Sequence, residues 1–253
     1  MVNSVSADFS ATIQAVGYCY TPYKQKFGIP RQPGLVNARG FIKLAGALND
    51  PDSVRGIEQY SHLWILFSFH QNLEQGWKTT VRPPRLGGNE KLGVFATRAT
   101  FRPNGIGQSV VRLHAVNNEN GQVTLEISGM DLLDETPIID IKPYIPFSDA
   151  IEGAQGGMAQ QAPELMRVNF TELARNQLAQ IAQQAPNQAL EPLILGVLSQ
   201  DPRPAYKKKA DDPKMYQVAL YDFDVFWKVI NNQIHVIEVK EGMLAKSRHP
   251  KVR

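Results

Sequence analysis

From Thr12 to Phe147 apolar residues recur at every second position in short runs broken by Pro, Gly and Asn. That period suits half-buried strands and not amphipathic helices. The clearest runs are Thr12–Tyr20, His62–Phe69, Gly93–Thr97, Gln108–Val116, Val123–Ser128 and Thr136–Ile141. Asn117-Asn118-Glu119-Asn120-Gly121 separates two of them with residues that tolerate positive φ, which predicts a hairpin loop. The pattern predicts a mainly β domain, a small barrel or sandwich, over residues 1–150.

Ser148–Ala162 is rich in Gly, Ala and Gln without an apolar period, and reads as a linker. Beyond it the texture changes. Ala174, Leu178, Ile181, Ala182 and Ala185 fall on one helical face, with Thr171 placed to cap its start. Leu190–Leu198 is also helical in pattern, and Pro192 requires the helix to begin nearby. Gln217–Val229 alternates, with Ala219, Tyr221, Phe223, Val225 and Trp227 on one side, and Gln233–Val239 follows across Asn231-Asn232 as a hairpin partner. Residues 163–253 are therefore expected to form a small α+β accessory domain.

At 253 residues and 43% hydrophobic, the chain has enough apolar surface for a sizeable core. A net charge of +3 permits a nucleic-acid partner without requiring one. Cys19 is the sole cysteine, which excludes an internal disulfide and suits a reducing, cytoplasmic setting. No signal peptide is expected, because Met1–Ala11 carries no basic n-region followed by an apolar run, and no membrane span, because no apolar run approaches ~18 residues. Gly105-Ile106-Gly107 lacks the third glycine and the βαβ context of a Rossmann site, so no Rossmann fold is expected. His62, His70, His114, His235 and His249 show no metal-ligand spacing, and no metal is expected.

The candidate chemistry lies in loops. Between Gly76 and Gly107 six cations, Lys78, Arg82, Arg85, Lys91, Arg98 and Arg102, face one acid, Glu90. Prolines stiffen Arg82-Pro83-Pro84-Arg85, Arg102-Pro103 and Pro30-Arg31-Gln32-Pro33, which reduces the entropy lost when an arginine grips an anion. A solvated loop is the alternative on charge alone. Asp131-Leu132-Leu133-Asp134-Glu135-Thr136-Pro137-Ile138-Ile139-Asp140 is acidic, suited either to binding an ammonium or accepting a proton, or to capping turns.

These segments in this order resemble the TrmO family of tRNA adenine-N6 methyltransferases, also called TsaA or YaeB-like proteins. The residues that carry the resemblance are Lys26–Leu35, Tyr60–Phe67, Arg82–Gly88, Gly93–Arg98, Phe101–Asn104, Asp131–Tyr144 and Gln200–Tyr206. The resemblance implies a β-barrel that binds S-adenosylmethionine, a C-terminal accessory domain and a homodimer. It also implies methylation of N6 of threonylcarbamoyl-adenosine beside the anticodon of threonine tRNA. By matching motif, the cofactor would meet Pro30, Arg31, Gln32, His70, Gln71, Arg98, Gln108, Asp134, Glu135, Thr136 and Pro137. His70 alone, after an apolar strand, would read as a structural histidine; the motif gives it a binding role.

A carboxylate base would assist removal of the N6 proton, and Asp134 and Asp140 are the candidates, with Lys142 and Tyr144 as orienters. The tRNA would lie across Arg82, Arg85 and Arg102, with Arg203, Tyr206 and Lys207 added from the accessory domain. Thr21, Glu135 and Gly105 depart from the family pattern, which expects Ser, Gly and Pro there. A non-enzymatic RNA-binding β-domain, or a methyltransferase of this fold with another acceptor, are the alternatives.

Overall fold

The structure is a computed structural model that describes residues 10–86, 90–186, 188–204, 207 and 212–242. Six strands close into a barrel in the order β1-β2-β7-β6-β3-β8. They are β1 (Gly17–Tyr20), β2 (Arg39–Leu44), β3 (His62–Ser68), β6 (Ile106–Glu119), β7 (Gln122–Ser128) and β8 (Thr136–Pro143). A two-stranded ribbon, β4 (Thr80–Val81) with β5 (Leu92–Gly93), lies in the long β3–β6 connection. The alternation read from sequence is the inside–outside alternation of the barrel: Leu63, Ile65 and Phe67 of β3 point inward with Val111 and Leu113 of β6 and Leu125 and Ile127 of β7. At roughly 25 cal/mol per Å², such fully buried side chains stabilise the barrel by ~1.5–3 kcal/mol each.

The second unit is a four-stranded sheet, β10 (Asp212–Leu220), β11 (Phe223–Ile230), β12 (Gln233–Glu241) and β9 (Val168–Phe170), in that order. Helices α2 (Glu172–Gln184) and α3 (Leu190–Ser199) accompany it, and the short α1 (Pro146–Asp149) leaves the barrel. The Thr171 hydroxyl accepts from the Ala174 N–H at 3.2 Å, the cap expected for α2; of its expected face Ala174, Leu178 and Ile181 are buried, whereas Ala182 is exposed and Ala185 is the C-cap just beyond the helix. Pro192 sits in the first turn of α3, where no intrahelical N–H is needed.

Several boundaries differ from the sequence reading. The run Gln217–Val229 is two strands, because Tyr221-Asp222 form a two-residue turn that preserves the alternation, with Tyr221 at φ 50°. No Gly or Asn announces that turn. Thr12–Tyr20 reduces to β1, Gly93–Thr97 is mostly a 3-10 turn, and β2 was not singled out. The Asn117–Gly121 loop contracts to Asn120-Gly121, both at positive φ, as a tight hairpin requires.

The segment leaving β1 rests on the second sheet. Tyr23 forms an antiparallel bridge with Leu220, and the Tyr221 N–H donates to the Pro22 carbonyl at 2.8 Å. Gly28 packs so closely on that sheet that a Cβ would lie 3.1 Å from Val218 and 3.4 Å from Leu220.

Candidate functional site

A cleft of about 850 Å³ opens where β3 ends and β6 begins. Four distant segments meet in it. The Lys26–Gln32 segment contributes Pro30, Arg31 and Gln32; the 3-10 helix after β3 contributes His70 and Gln71; the loop before β6 contributes Arg98 and Arg102; β6 contributes Gln108. Hydrogen bonds stitch the rim. Arg98 Nη1 donates to Gln32 Oε1 at 2.6 Å, Lys26 Nζ to Asn72 Oδ1 at 3.3 Å, and Arg102 Nη1 to the Thr97 carbonyl at 2.7 Å. Phe67 and Phe69, edge to face with centroids 5.2 Å apart, form part of the apolar wall with Phe101, Leu132 and Leu133. Gly107 packs closely beneath those rings, since a Cβ there would lie 2.4 Å from Phe67.

The acidic segment divides by environment. Asp131 lines the cleft and accepts a short hydrogen bond from the Ser109 hydroxyl of β6. Burial raises its pKa to about 6, although Ser109 and the Arg98 charge pull the other way. Neither Asp131 nor Ser109 was selected from sequence. Asp131 was one acid among several at a strand end, and its pairing with Ser109 spans 22 positions of chain.

The two expected base candidates lie elsewhere. Asp134 accepts from the Thr21 N–H at 2.9 Å and forms an ion pair with Lys24, so it is a clamp on the chain leaving β1. Asp140 pairs with Lys142 at 2.6 Å on the exposed outer face of β8. Thr136 lines the cleft, whereas Glu135 is an exposed turn residue at φ 61° and Pro137 pairs with Tyr18 between strands. Asp134, Glu135 and Pro137 are not among the cleft-lining residues.

Of the expected RNA contacts, Arg82 is exposed in the loop after β4, and Lys207 pairs with Asp212 at 3.2 Å. Arg203 is a correction: its side chain is fully buried, donating through Nε and Nη2 to both Asp201 oxygens at 2.8 and 3.0 Å. An arginine two residues after an aspartate in a Pro-rich turn makes this bidentate clasp locally, which the charge pattern alone could not distinguish from an outward arginine. The Arg85 side chain, Tyr206 and the basic tail from residue 243 lie outside the described residues.

The donor set fits a sulfonium zwitterion joined to a nucleoside. The cleft volume falls in the ~300–1,000 Å³ range of small-ligand sites. Arginines suit a carboxylate and amides suit purine edges. Among the described residues no cluster of His, Cys, Asp and Glu could hold a metal ion, and no helix is long and apolar enough to cross a membrane.

Comparison with known proteins agrees with the geometry. Residues 18–150 match the tRNA-methyltransferase O N-terminal domain, and residues 163–242 match the TrmO C-terminal domain. The chain is 48% identical over 233 residues to the tRNA (adenine(37)-N6)-methyltransferase of Escherichia coli, covering 91% of this chain and 98% of that one. It is 47% identical over 233 residues to a putative S-adenosylmethionine-dependent methyltransferase, RcsF, of Pseudomonas aeruginosa, with the same coverage of 91% and 98%. The crystal structure of TrmO from Pseudomonas aeruginosa superposes with a TM-score of 0.75 at 40% identity, covering 92% of this chain and 99% of that one. With both halves matched and a crystal structure superposed over nearly its whole length, the chain belongs to the tRNA-methyltransferase O family.

Proposed function

We propose that this protein methylates N6 of adenosine 37 in tRNA with S-adenosylmethionine as donor, and that the base it accepts already carries a threonylcarbamoyl group, in threonine tRNA. The observation that carries the reading is the convergence of Pro30–Gln32, His70–Gln71, Arg98 and Gln108 on one cleft. The chain's 48% identity to an enzyme named for that reaction supports it.

S-adenosylmethionine supplies an electrophilic methyl group on a cationic sulfur. Arg98, steadied by Gln32, and Arg31 would hold the donor's carboxylate; Gln71, Gln108 and His70 would hydrogen-bond its nucleoside. Phe67, Phe69 and Leu132 line the cleft and would keep water from the reacting centre. Holding nitrogen, methyl carbon and sulfur in line at near-contact distance supplies much of the acceleration. Arg82 and Arg102 would meet phosphates of the anticodon arm, a contact that weakens with salt. The threonylcarbamoyl group makes the N6 proton more acidic, which suits a base of modest strength. The same reading includes a homodimer, for which exposed Phe95, beside the cleft-lining loop, is a candidate for burial.

Purified protein, S-adenosylmethionine and tRNA with or without the threonylcarbamoyl group, followed by nucleoside mass spectrometry, test the reading. Methylation only of the modified base is expected. Equal methylation of unmodified adenosine 37 would remove the substrate refinement. Calorimetry showing no affinity for S-adenosylmethionine would favour a non-enzymatic RNA-binding domain.

A further inference from the structure

We propose that Asp131 is the proton acceptor for methyl transfer, a catalytic residue aimed by the Ser109 hydroxyl; the assignment rests on the methyltransferase reading above. Among the described residues lining the cleft, Asp131 is the only carboxylate, set against the cations Lys26, Arg31, Arg98 and Arg102. Asp134 and Asp140 are committed to Lys24 and Lys142 outside the cleft lining. Asp131 is followed by Leu132 and Leu133, both cleft-lining, so its surroundings on that side are apolar.

Three groups face it from three elements. The Ser109 hydroxyl of β6 donates to Oδ1, Arg98 of the preceding loop contributes positive charge, and the buried Tyr23 phenol lies close enough for its own ionisation to be opposed by Asp131. One Asp131 oxygen is thereby fixed by Ser109. Desolvation makes this carboxylate a stronger base than a solvated one, while the Ser109 hydrogen bond orients it and draws its pKa part of the way back.

The step balances as follows. The adenine N6–H bond breaks and its proton passes to an Asp131 oxygen. The nitrogen electron pair forms the N–CH₃ bond, and the C–S pair leaves with sulfur as a neutral thioether. A cationic donor, an anionic carboxylate and a neutral acceptor base become three neutral groups, and a dry site favours such charge cancellation more than water does.

The test is single-turnover methyl transfer on tRNA that carries the threonylcarbamoyl group, run on the parent, Asp131→Asn and Ser109→Ala across pH, with donor affinity by calorimetry. Asp131→Asn should lower the rate by about 10²–10⁴-fold, the usual contribution of a general base, while donor affinity changes by less than about threefold. Removing the Ser109 hydrogen bond, which favours the ionised carboxylate, should move the acid limb of the Ser109→Ala rate profile to higher pH. An Asp131→Asn rate within about threefold of the parent overturns the assignment. So does a donor affinity that collapses while the rate recovers at saturating donor, which would make Asp131 a binding group. An unmoved acid limb in Ser109→Ala refutes the role given to Ser109. A parent that methylates no tRNA overturns the proposed function itself, whereas an active parent matched by Asp131→Asn overturns only this assignment.

Discussion

Adding one methyl group at Gly107 tests whether the cleft wall is as tightly built as its geometry indicates. A Cβ there would lie 2.4 and 2.5 Å from Cζ and Cε2 of Phe67 and 2.8 Å from Cζ of Phe69. Carbon atoms in ordinary contact are about 3.5–4.0 Å apart, so the Phe67 ring would have to retreat by roughly 1 Å. Its edge-to-face partner Phe69 is within reach of the same methyl and limits that retreat. Overpacking costs about 1–3 kcal/mol. Losing the ring pair adds roughly 0.5–1.5 kcal/mol, so Gly107→Ala should destabilise by about 2–4 kcal/mol. Urea unfolding followed by circular dichroism should show a lower midpoint. Calorimetry should show weaker S-adenosylmethionine binding, since both rings line the cleft. Adding Phe67→Leu should return part of the loss, giving a coupling of more than about 0.5 kcal/mol. An unchanged midpoint in Gly107→Ala, or a double variant that merely sums the singles, refutes the packing argument.

Asp201→Ala removes the bidentate acceptor of the buried Arg203 guanidinium and should cost about 3 kcal/mol by chemical denaturation. Arg203→Met should leave the salt dependence of tRNA binding unchanged, and a shallower slope would restore Arg203 as a phosphate contact. Glu135 holds a left-handed φ of 61°, so Glu135→Gly should raise stability by roughly 0.5–1 kcal/mol, the strain relieved less glycine's chain entropy. A lower melting temperature would show that Glu135's contacts outweigh the strain. Asp131 has a pKa of about 6 in the folded protein, above its value of ~3.9 when unfolded. The folded state therefore binds the extra proton between those values, and the carboxylate lowers stability as pH rises through that window. Asp131→Asn should be more stable than the parent above about pH 6, by an amount on the order of 2–3 kcal/mol, and match it below about pH 4. A stability difference that does not vary with pH would mean the carboxylate is not buried at a cost.

Legibility of the fold followed the physics of each element. Where burial imposes a strict period, as in His62–Phe69, Val123–Ser128 and the α2 face, the pattern alone located the element. Where a turn uses unusual residues, it failed: Tyr221-Asp222 reverse the chain without the glycine or asparagine that would announce it. The cleft was partly legible, because Pro30–Gln32, His70–Gln71, Arg98 and Gln108 stand in recognisable motifs. The roles of the acids were not. Asp131, Asp134 and Asp140 look equivalent in one dimension, and their partners Ser109, Lys24 and Lys142 separate them only in three. Arg203 failed similarly, since its partner Asp201 sits two residues away and local sequence does not reveal which way the pair faces.

The chain from Pro22 to Arg31 belongs to the barrel by connection and to the accessory sheet by support. A barrel produced without residues 163–242 would keep its strands but lose the floor beneath Gly28 and the bridge at Tyr23. Pro30 and Arg31 would then stand on a loop with nothing behind it, and donor affinity would suffer before the barrel itself unfolded. The C-terminal unit is thus a structural foundation for the segment that carries Pro30 and Arg31 to the cleft.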